Sequence, residues 1–236
     1  MKNYIPNLIT CCNAFLGTLS VVFALKGLFV TAAMLIFFAA LCDFLDGFLA
    51  RLLQVKSKIG ADLDSLADII SFGLAPAAIL FTWMDFCFYE MPPELHFFPL
   101  TLLPYCAFIL VPFSAYRLAK FNNDERQHDL FYGLPTPANA FFIAFLPFAA
   151  TKMPILDNFW ILLSITFVFS LLLIGEFPMF SLKFSNYSFK KNRIRYIFLF
   201  ISTVLLGVFQ LAAFPIIILL YIFISLIQFG LTKVIQ

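Results

Sequence analysis

Apolar stretches long enough to cross a lipid bilayer recur along the whole chain. A transmembrane helix needs about 20 mostly apolar residues, and eight stretches approach that length, at residues 7–25, 28–50, 61–83, 96–117, 137–152, 157–179, 195–212 and 215–232. Hydrophobic residues make up 63% of the chain and charged residues 12%, which excludes an ordinary soluble domain. The sequence predicts an all-α, multi-pass membrane bundle that forms one membrane-embedded domain over residues 1–236. A bend at Pro215 instead of a break would leave seven helices.

The basic residues indicate how this bundle is oriented. If the N-terminus lies in the cytoplasm and eight helices follow, only Lys26 and Lys152 face the opposite side. The cytoplasmic set is Lys2, Arg51, Lys56, Lys58, Arg117, Lys120, Arg126, Lys183, Lys190, Lys191, Arg193, Arg195 and Lys233. Because Lys and Arg concentrate in cytoplasmic loops, this distribution predicts that orientation. The alternative, a signal peptide cleaved near residues 22–24, would remove the first helix, which this orientation requires.

Four aspartates fall at helical spacing in two of these apolar stretches. Carboxylates in membrane-length segments are costly to place there and generally serve a function. At about 100° per residue, two sets of residues each share one helix face: Asp43, Asp46, Gly47 and Ala50 in one stretch, and Gly60, Asp64 and Asp68 in the next. Two adjacent helices would point the four carboxylates at one volume. Ligands that are all oxygen favour a hard divalent cation such as Mg²⁺.

A cation or proton transporter would also place carboxylates inside the membrane. Transport needs a binding or relay group near mid-depth, whereas these aspartates cluster at one side, and the other stretches hold almost no acidic residues. Inverted repeats are not evident in the sequence. An enzyme site is therefore the favoured interpretation, with a transporter as the alternative.

The aspartates also carry a resemblance to a known family. From Asp43 to Asp68 the chain matches the pattern D-x2-D-G-x2-A-R-x8-G-x3-D-x3-D without a gap, which resembles the signature of the CDP-alcohol phosphatidyltransferases. The resemblance implies two divalent cations, Mg²⁺ or Mn²⁺, held by Asp43, Asp46, Asp64 and Asp68. It also implies that Asp68 is the catalytic base, and that a phosphatidyl group passes from CDP-diacylglycerol to an alcohol with release of CMP.

The same resemblance assigns residues to the CDP-lipid. It implies that Asp43, Gly47, Ala50, Arg51 and Gly60 contact this substrate, the small residues by letting it approach the helices closely. Asn7 and Thr10 resemble the polar positions with which the family opens, and they join this set. Close helix packing is the alternative for the small residues, and a basic anchor at the membrane surface is the alternative for Arg51.

Three segments resemble the branch of the family that uses serine: residues 63–76, 117–122 and 133–138. They imply L-serine as the acceptor, with Ser71, Arg117 and Asn122 near it. Arg117 would pair with the carboxylate of serine. Structural roles are the alternatives: a helix-end anchor for Arg117, a cap for Asn122 and a backbone-bonded hydroxyl for Ser71. Glycerol 3-phosphate or choline is the alternative acceptor.

The resemblance covers roughly residues 1–140 and implies a homodimer in the bacterial cytoplasmic (inner) membrane, with the site facing the cytoplasm. Its partners are then membrane lipids and the two substrates, and no nucleic acid is expected. Asp62 lies outside the family pattern and is predicted to be a solvated residue at a helix start. Residues 181–195 form a basic, aromatic loop that either contacts anionic lipid head groups or is simply solvated.

Overall fold

The computed structural model describes residues 4–55, 57–123, 131–180, 188 and 192–234. The helices are α1 (Tyr4–Leu25), α2 (Phe29–Leu52), α3 (Lys58–Asp68), α4 (Ala75–Tyr89), α5 (Leu110–Asn123), α6 (Thr136–Ala150), α7 (Phe159–Ile174), α8 (Arg193–Phe209) and α9 (Ala213–Val234). A π-helical segment, Ile69–Leu74, joins α3 to α4, and a 3₁₀ segment, Leu100–Ile109, leads into α5. Shorter 3₁₀ turns lie at Pro93–Leu95, Pro154–Leu156 and Gln210–Ala212.

The predicted all-α membrane fold is confirmed. Five helical stretches in the described part of the chain are long and apolar enough to cross a membrane: Tyr4–Leu25, Phe29–Leu52, Lys58–Tyr89, Leu100–Asn123 and Arg193–Gln228. Two shorter apolar helices, α6 and α7, complete the set. Each of the eight predicted stretches coincides with helical structure, so the protein is a multi-pass membrane protein.

The last long stretch reverses direction and forms a helical hairpin. The break is at Gln210, whose backbone angles are φ 53° and ψ −130°. Phe198 of α8 and Tyr221 of α9 then face each other with ring centroids 5.8 Å apart. The break between the last two helices is therefore confirmed, although it lies a few residues before Pro215, and the alternative of a single bent segment is not adopted. This proline lies in the first turn of α9, where the missing N–H has no helical partner to lose.

The helices α1 and α2 form a tight hairpin around the turn at Gly27, whose φ is 73°. Its inner surface is made of small residues: Ser20 donates to the Ala32 carbonyl at 2.8 Å, and Ala24 and Ala33 are fully buried. Because α1 also packs against α3 and the π-helical segment, it holds α2 and α3 side by side. The ends of α2 and α3 that meet at residues 53–57 are called the aspartate end below.

The rest of the bundle is held by apolar and aromatic packing around α4 and α6. Phe142 of α6 stacks on Phe169 of α7 with centroids 3.9 Å apart, and Phe145 stacks on Phe214 of α9 at 4.4 Å. In a membrane the lipid is as apolar as the bundle interior, so such contacts stabilise the bundle by close van der Waals packing. The aromatic packing therefore gives a firm support against which the α3–α4 stretch is positioned.

A two-stranded antiparallel pairing, which the sequence did not predict, secures the start of α6. Strand β1 (Phe131–Tyr132) pairs with β2 (Pro178–Met179). Gly133 follows at φ 76°, and a Cβ there would meet the Gly175 carbonyl oxygen at 2.7 Å, so only glycine fits. Most of the basic, aromatic loop at residues 181–195, expected either to contact lipid head groups or to be solvated, lies outside the described residues, as does Lys56 at the aspartate end.

Candidate active site

Three of the four predicted aspartates converge at one point. Carboxylate oxygens of Asp43, Asp64 and Asp68 all lie within 4.8 Å of one another. Asp43 comes from α2, whereas Asp64 and Asp68 are one turn apart on α3. For these three residues the helical spacing produces the predicted convergence, because the α1 hairpin keeps α2 against α3.

The fourth aspartate lies beside this group rather than within it. Asp46 is only 5% exposed, and its Oδ2 atom is 2.6 Å from the hydroxyl of Thr10 on α1. The same hydroxyl is 3.0 Å from the Pro6 carbonyl oxygen, so its single proton serves one of these two acceptors at a time. Asp46 and Asp64 line one cleft, which makes Asp46 the link between the carboxylate group and that cleft.

The donor set fits a cation. Carboxylate oxygens of Asp43, Asp64 and Asp68 within 4.8 Å of one another repel each other unless a proton or a cation lies among them. Asp64 Oδ1 is buried and has no hydrogen-bond donor among the described residues. In that part of the chain the one ion pair is Lys120–Glu176, so no lysine or arginine there neutralises these carboxylates by direct contact. Carboxylate oxygens grouped in this way suit Mg²⁺ or Mn²⁺.

An open cleft of about 320 Å³ adjoins the aspartates at the aspartate end. It is lined by Pro6, Asn7, Thr10, Asp46, Gly47, Ala50, Val55, Ser57, Gly60, Ala61 and Asp64. Five of the seven residues that the sequence assigned to the CDP-lipid are in this lining; the other two, Asp43 and Arg51, are not. Ser57 was missed, although a serine three residues before Gly60 is a helix-start signal, and its hydroxyl does accept from the Gly60 N–H at 2.9 Å.

The small residues of the cleft are of two kinds. A Cβ at Gly47 would meet no atom within 4 Å, so close helix packing does not explain this glycine. A Cβ at Gly60 would lie 2.9 Å from Ser57 Oγ and 3.2 Å from Asn7 Oδ1, so this glycine keeps two polar groups close to the helix. Arg51 is exposed and donates from Nε to the Gly47 carbonyl at 2.9 Å, and Asp62 is exposed, as the sequence predicted.

Asp68 is the most enclosed position of the three-carboxylate group, at 8% exposure. The amide of Asn13 on α1 donates to its Oδ1 at 3.5 Å, a long contact. The π-helical segment begins at the next residue, and π-helical turns are frequent at functional sites. Gly17 allows α1 to touch this segment, because a Cβ there would lie 2.7 Å from the Cα of Ser71.

The three predicted acceptor residues do not share one volume. Ser71 is fully buried and donates to the Asn13 carbonyl at 3.0 Å. Asn122 is exposed and donates to Ser65 Oγ at 2.8 Å. Arg117 is 6% exposed, lies 4.9 Å from the ring centroid of Phe121, and is near enough to Asp68 to interact with it electrostatically. Ser71 and Arg117 are both buried near Asp68, but Ser71 already donates to the Asn13 carbonyl, whereas Arg117 Nε has no hydrogen-bond acceptor among the described residues.

Comparison with known proteins agrees with this geometry. The family model described as CDP-alcohol phosphatidyltransferase matches residues 3–175, which is most of the chain and includes all four aspartates. The chain belongs to the CDP-alcohol phosphatidyltransferase family. It is therefore a transferase of phospholipid biosynthesis, and the resemblance inferred from the aspartate pattern is confirmed.

Similar proteins come from distant organisms. A CDP-diacylglycerol–serine O-phosphatidyltransferase of Helicobacter pylori is 30% identical over 226 residues, covering 94% of this chain and 90% of the relative. The enzyme of the same name from Bacillus subtilis is 33% identical over 154 residues, covering 65% of this chain and 80% of the relative. That of Saccharomyces cerevisiae is 34% identical over 175 residues, covering 67% and 59%.

Proposed function

We propose that this phosphatidyltransferase moves the phosphatidyl group of CDP-diacylglycerol to L-serine, giving phosphatidylserine and CMP. The observation that carries the proposal is the placement of Asp43, Asp64 and Asp68 beside a cleft of about 320 Å³ lined by small and polar residues. The serine-using relatives support the acceptor, since one of them aligns along nearly the whole chain.

Asp43, Asp46, Asp64 and Asp68 would hold two divalent cations, Mg²⁺ or Mn²⁺. When bound, such ions neutralise phosphate oxygens and the charge that develops on the leaving group. Thr10 would orient Asp46 by its 2.6 Å contact, and Asn13 would do the same for Asp68. Outer partners of this kind fix the direction of ligand carboxylates.

The cleft would receive the cytidine and diphosphate part of the lipid. Gly47 and Ala50 leave its floor open, so the substrate lies against the backbone of α2. Asn7 and Thr10 offer polar groups from α1, and Gly60 opens the opposite wall. Arg51 would reach a phosphate by leaving its present contact with the Gly47 carbonyl.

Asp68 would act as the base. Its carboxylate accepts the proton of the serine hydroxyl as the serine oxygen bonds to the phosphorus attached to diacylglycerol. The bond from that phosphorus to the bridging oxygen breaks, and the electron pair leaves with CMP. Arg117 would pair with the serine carboxylate, a charge-assisted contact in a buried site. Ser71 and Asn122 stay as predicted acceptor residues with less support, because both already have hydrogen-bond partners.

The site would face the cytoplasm of a bacterium from its inner membrane, as part of a homodimer. The split of basic residues between the loops supports this orientation. A single cysteine placed at Gln54, in a variant whose five native cysteines are replaced, should react with a membrane-impermeant reagent from the cytoplasmic side alone. Labelling from the other side would refute the orientation.

An acceptor comparison tests the function itself. The purified protein is supplied with CDP-diacylglycerol, Mg²⁺ or Mn²⁺ and one acceptor at a time: L-serine, glycerol 3-phosphate or choline. L-Serine should give the highest kcat/KM, with phosphatidylserine and CMP formed in equal amounts. Preference for glycerol 3-phosphate would overturn the serine assignment and leave the family unchanged.

A further inference from the structure

Four buried polar side chains on α5 and α6 have atoms without hydrogen-bond partners. Ser114, Arg117, Thr136 and Asn139, here called the α5–α6 polar set, are between 0% and 6% exposed. Five polar atoms of the set have no hydrogen-bond partner among the described residues: Ser114 Oγ, Arg117 Nε, Thr136 Oγ1, and Asn139 Oδ1 and Nδ2. Each such buried group costs about 1–3 kcal/mol. Single unpaired hydroxyls also occur elsewhere, as at Thr82, but five unpaired atoms grouped on two helices fit a polar ligand.

The α5 members of the set lie beside the π-helical segment and Asp68. A Cβ built on Gly73 would be 3.2 Å from the Cβ of Ser114, so α5 touches this segment at that level. Because α5 returns antiparallel to the α3–α4 stretch, Arg117 lies one turn nearer the aspartate end than Ser114. That turn brings Arg117 alongside Asp68, which agrees with the electrostatic interaction between them.

The α6 members face the same region. Ala140 is packed in one buried cluster with Phe72 of the π-helical segment, and Phe142 stacks on Phe169 of α7. Successive residues of an α-helix are rotated by about 100°, so the side chain of Asn139 points between the directions of Ala140 and Phe142. That is where α5 lies, since α5 packs against both the π-helical segment and α7. Thr136 is one turn before Asn139, on the same side of α6.

We propose that Thr136 and Asn139, with Ser114, bind the amino group of the acceptor while Arg117 holds its carboxylate. Three neutral oxygens, Ser114 Oγ, Thr136 Oγ1 and Asn139 Oδ1, match the three N–H donors of a primary ammonium. One buried cation matches one carboxylate. The inference rests on the proposed function and adds that the set selects an α-amino acid.

The alternative acceptors fit this set poorly. Glycerol 3-phosphate carries a phosphate of nearly two charges, and the set offers one cation. Choline has no N–H to donate, and a quaternary ammonium is recognised by aromatic rings rather than by hydroxyl and amide oxygens. The chemistry of the unpaired atoms therefore points to a zwitterion.

Substitution of Asn139 and Thr136 tests the inference. L-Serine is compared with 3-hydroxypropionate, which keeps the hydroxyl and carboxylate but lacks the amino group. Asn139→Leu should raise KM for L-serine about tenfold, the loss of one charge-assisted hydrogen bond. It should change KM for 3-hydroxypropionate less than about twofold, because the lost partner is absent from that compound. Thr136→Val should show the same pattern with a change of about three- to tenfold.

The matched control is Thr82→Val. Thr82 is also buried, at 5% exposure, with an unpaired hydroxyl, but it lies on α4 nine residues beyond Gly73. This variant should keep the wild-type ratio of the two KM values. A rise in thermal unfolding temperature on addition of CDP-diacylglycerol shows that a variant is folded. If Asn139→Leu does not fold, Thr136→Val alone tests the inference.

The outcomes separate the two claims. If the wild type uses L-serine and both variants keep its preference over 3-hydroxypropionate, the amino-group subsite is refuted and the proposed function stands. If the wild type does not use L-serine or another amino alcohol as an acceptor, both the proposed function and this inference are refuted. A preference that shrinks in both variants and not in the control supports the assignment.

Discussion

Buried polar side chains behave differently in the two halves of the bundle. From α1 to the π-helical segment they reach other helices: Thr10 contacts Asp46, Asn13 contacts Asp68, and Ser20 donates to the Ala32 carbonyl. From α7 to α9 the buried hydroxyls of Thr166 and Ser225 donate to the carbonyl four residues earlier in their own helix. The buried hydroxyls of Ser170 and Ser202 have no hydrogen-bond partner among the described residues.

This contrast shows which polar side chains hold neighbouring helices in fixed positions around the aspartates. A hydroxyl bonded within its own helix is satisfied at little cost in a membrane and constrains no neighbour. A hydroxyl or amide that crosses to another helix fixes the distance between the two. Tyr221 is an exception in the second half, since its hydroxyl donates to the Phe180 carbonyl at 2.8 Å. The region from α1 to the π-helical segment thus builds the aspartate site, and the region from α7 to α9 supports the bundle.

The largest expected effect is at the metal-binding aspartates. Asp43→Ala, Asp46→Ala and Asp64→Ala should each lower kcat more than about 100-fold, because each removes an oxygen ligand from a group that faces phosphate charge. CMP release measures the effect. Asp62→Ala is the matched control on α3, exposed and outside the group, and should stay within about twofold of the wild type. Equal losses of kcat in Asp62→Ala and Asp64→Ala would contradict the assignment of Asp64 to the site and of Asp62 to the surface.

The next effect separates the base from the ligands. Asp68→Asn should lose turnover about 100-fold or more, because an amide of the same size accepts no proton at a useful pH. Its affinity for CDP-diacylglycerol, measured by equilibrium binding, should stay close to the wild-type value. An Asp68→Asn enzyme with near-normal turnover would defeat the assignment of the base.

A smaller effect is expected where a hydroxyl crosses between helices. Thr10→Val removes the donor to Asp46 and should lower the affinity for Mg²⁺ or Mn²⁺ about tenfold. The metal concentration that gives half-maximal activity should rise accordingly. Thr18→Val is the control on the same helix, because Thr18 is bonded to the carbonyl of Ala14 and is exposed. Equal metal requirements in the two variants would remove the proposed link between α1 and the site.

The smallest effect sharpens the comparison itself. Ser225→Ala removes a bond within α9 and should change the free energy of unfolding by less than about 0.5 kcal/mol. Ser20→Ala removes a bond between α1 and α2 and should cost about 1 kcal/mol, because the Ala32 carbonyl loses its additional donor. Unfolding in mixed micelles measures both. A larger loss at Ser225 would contradict the division between the two halves.

The aspartate group was predictable from two regular features of the sequence: the spacing of a helical turn and the length of a membrane-spanning stretch. Asp64 and Asp68 are one helical turn apart, and Asp43 lies near the end of a stretch whose length is set by the membrane. A short connection at residues 53–57 then brings the two helices together. The eight helical stretches were predictable for the same reason, since apolar length is a direct measure of membrane crossing.

Other features depend on contacts between distant segments and left no local signal. The π-helical segment forms where Gly17 and Ser114 approach it from α1 and α5. The reversal between the last two helices was predicted, but its position at Gln210 was not, because Pro215 is the stronger local signal, although a proline is tolerated in the first turn of a helix. The unpaired state of Asn139 is visible only after α5, α6 and the π-helical segment are packed together.

Direct detection of a bound metal ion tests the central claim, that carboxylates from α2 and α3 form a divalent-cation site. Mn²⁺ is titrated into the purified metal-free protein, and electron paramagnetic resonance measures the loss of the free-ion signal. The wild type and Asp62→Ala should bind Mn²⁺ alike, whereas Asp64→Ala should lose at least about tenfold in affinity. Equal binding by Asp64→Ala and the wild type, or no binding by the wild type in the presence of CDP-diacylglycerol, would contradict the account.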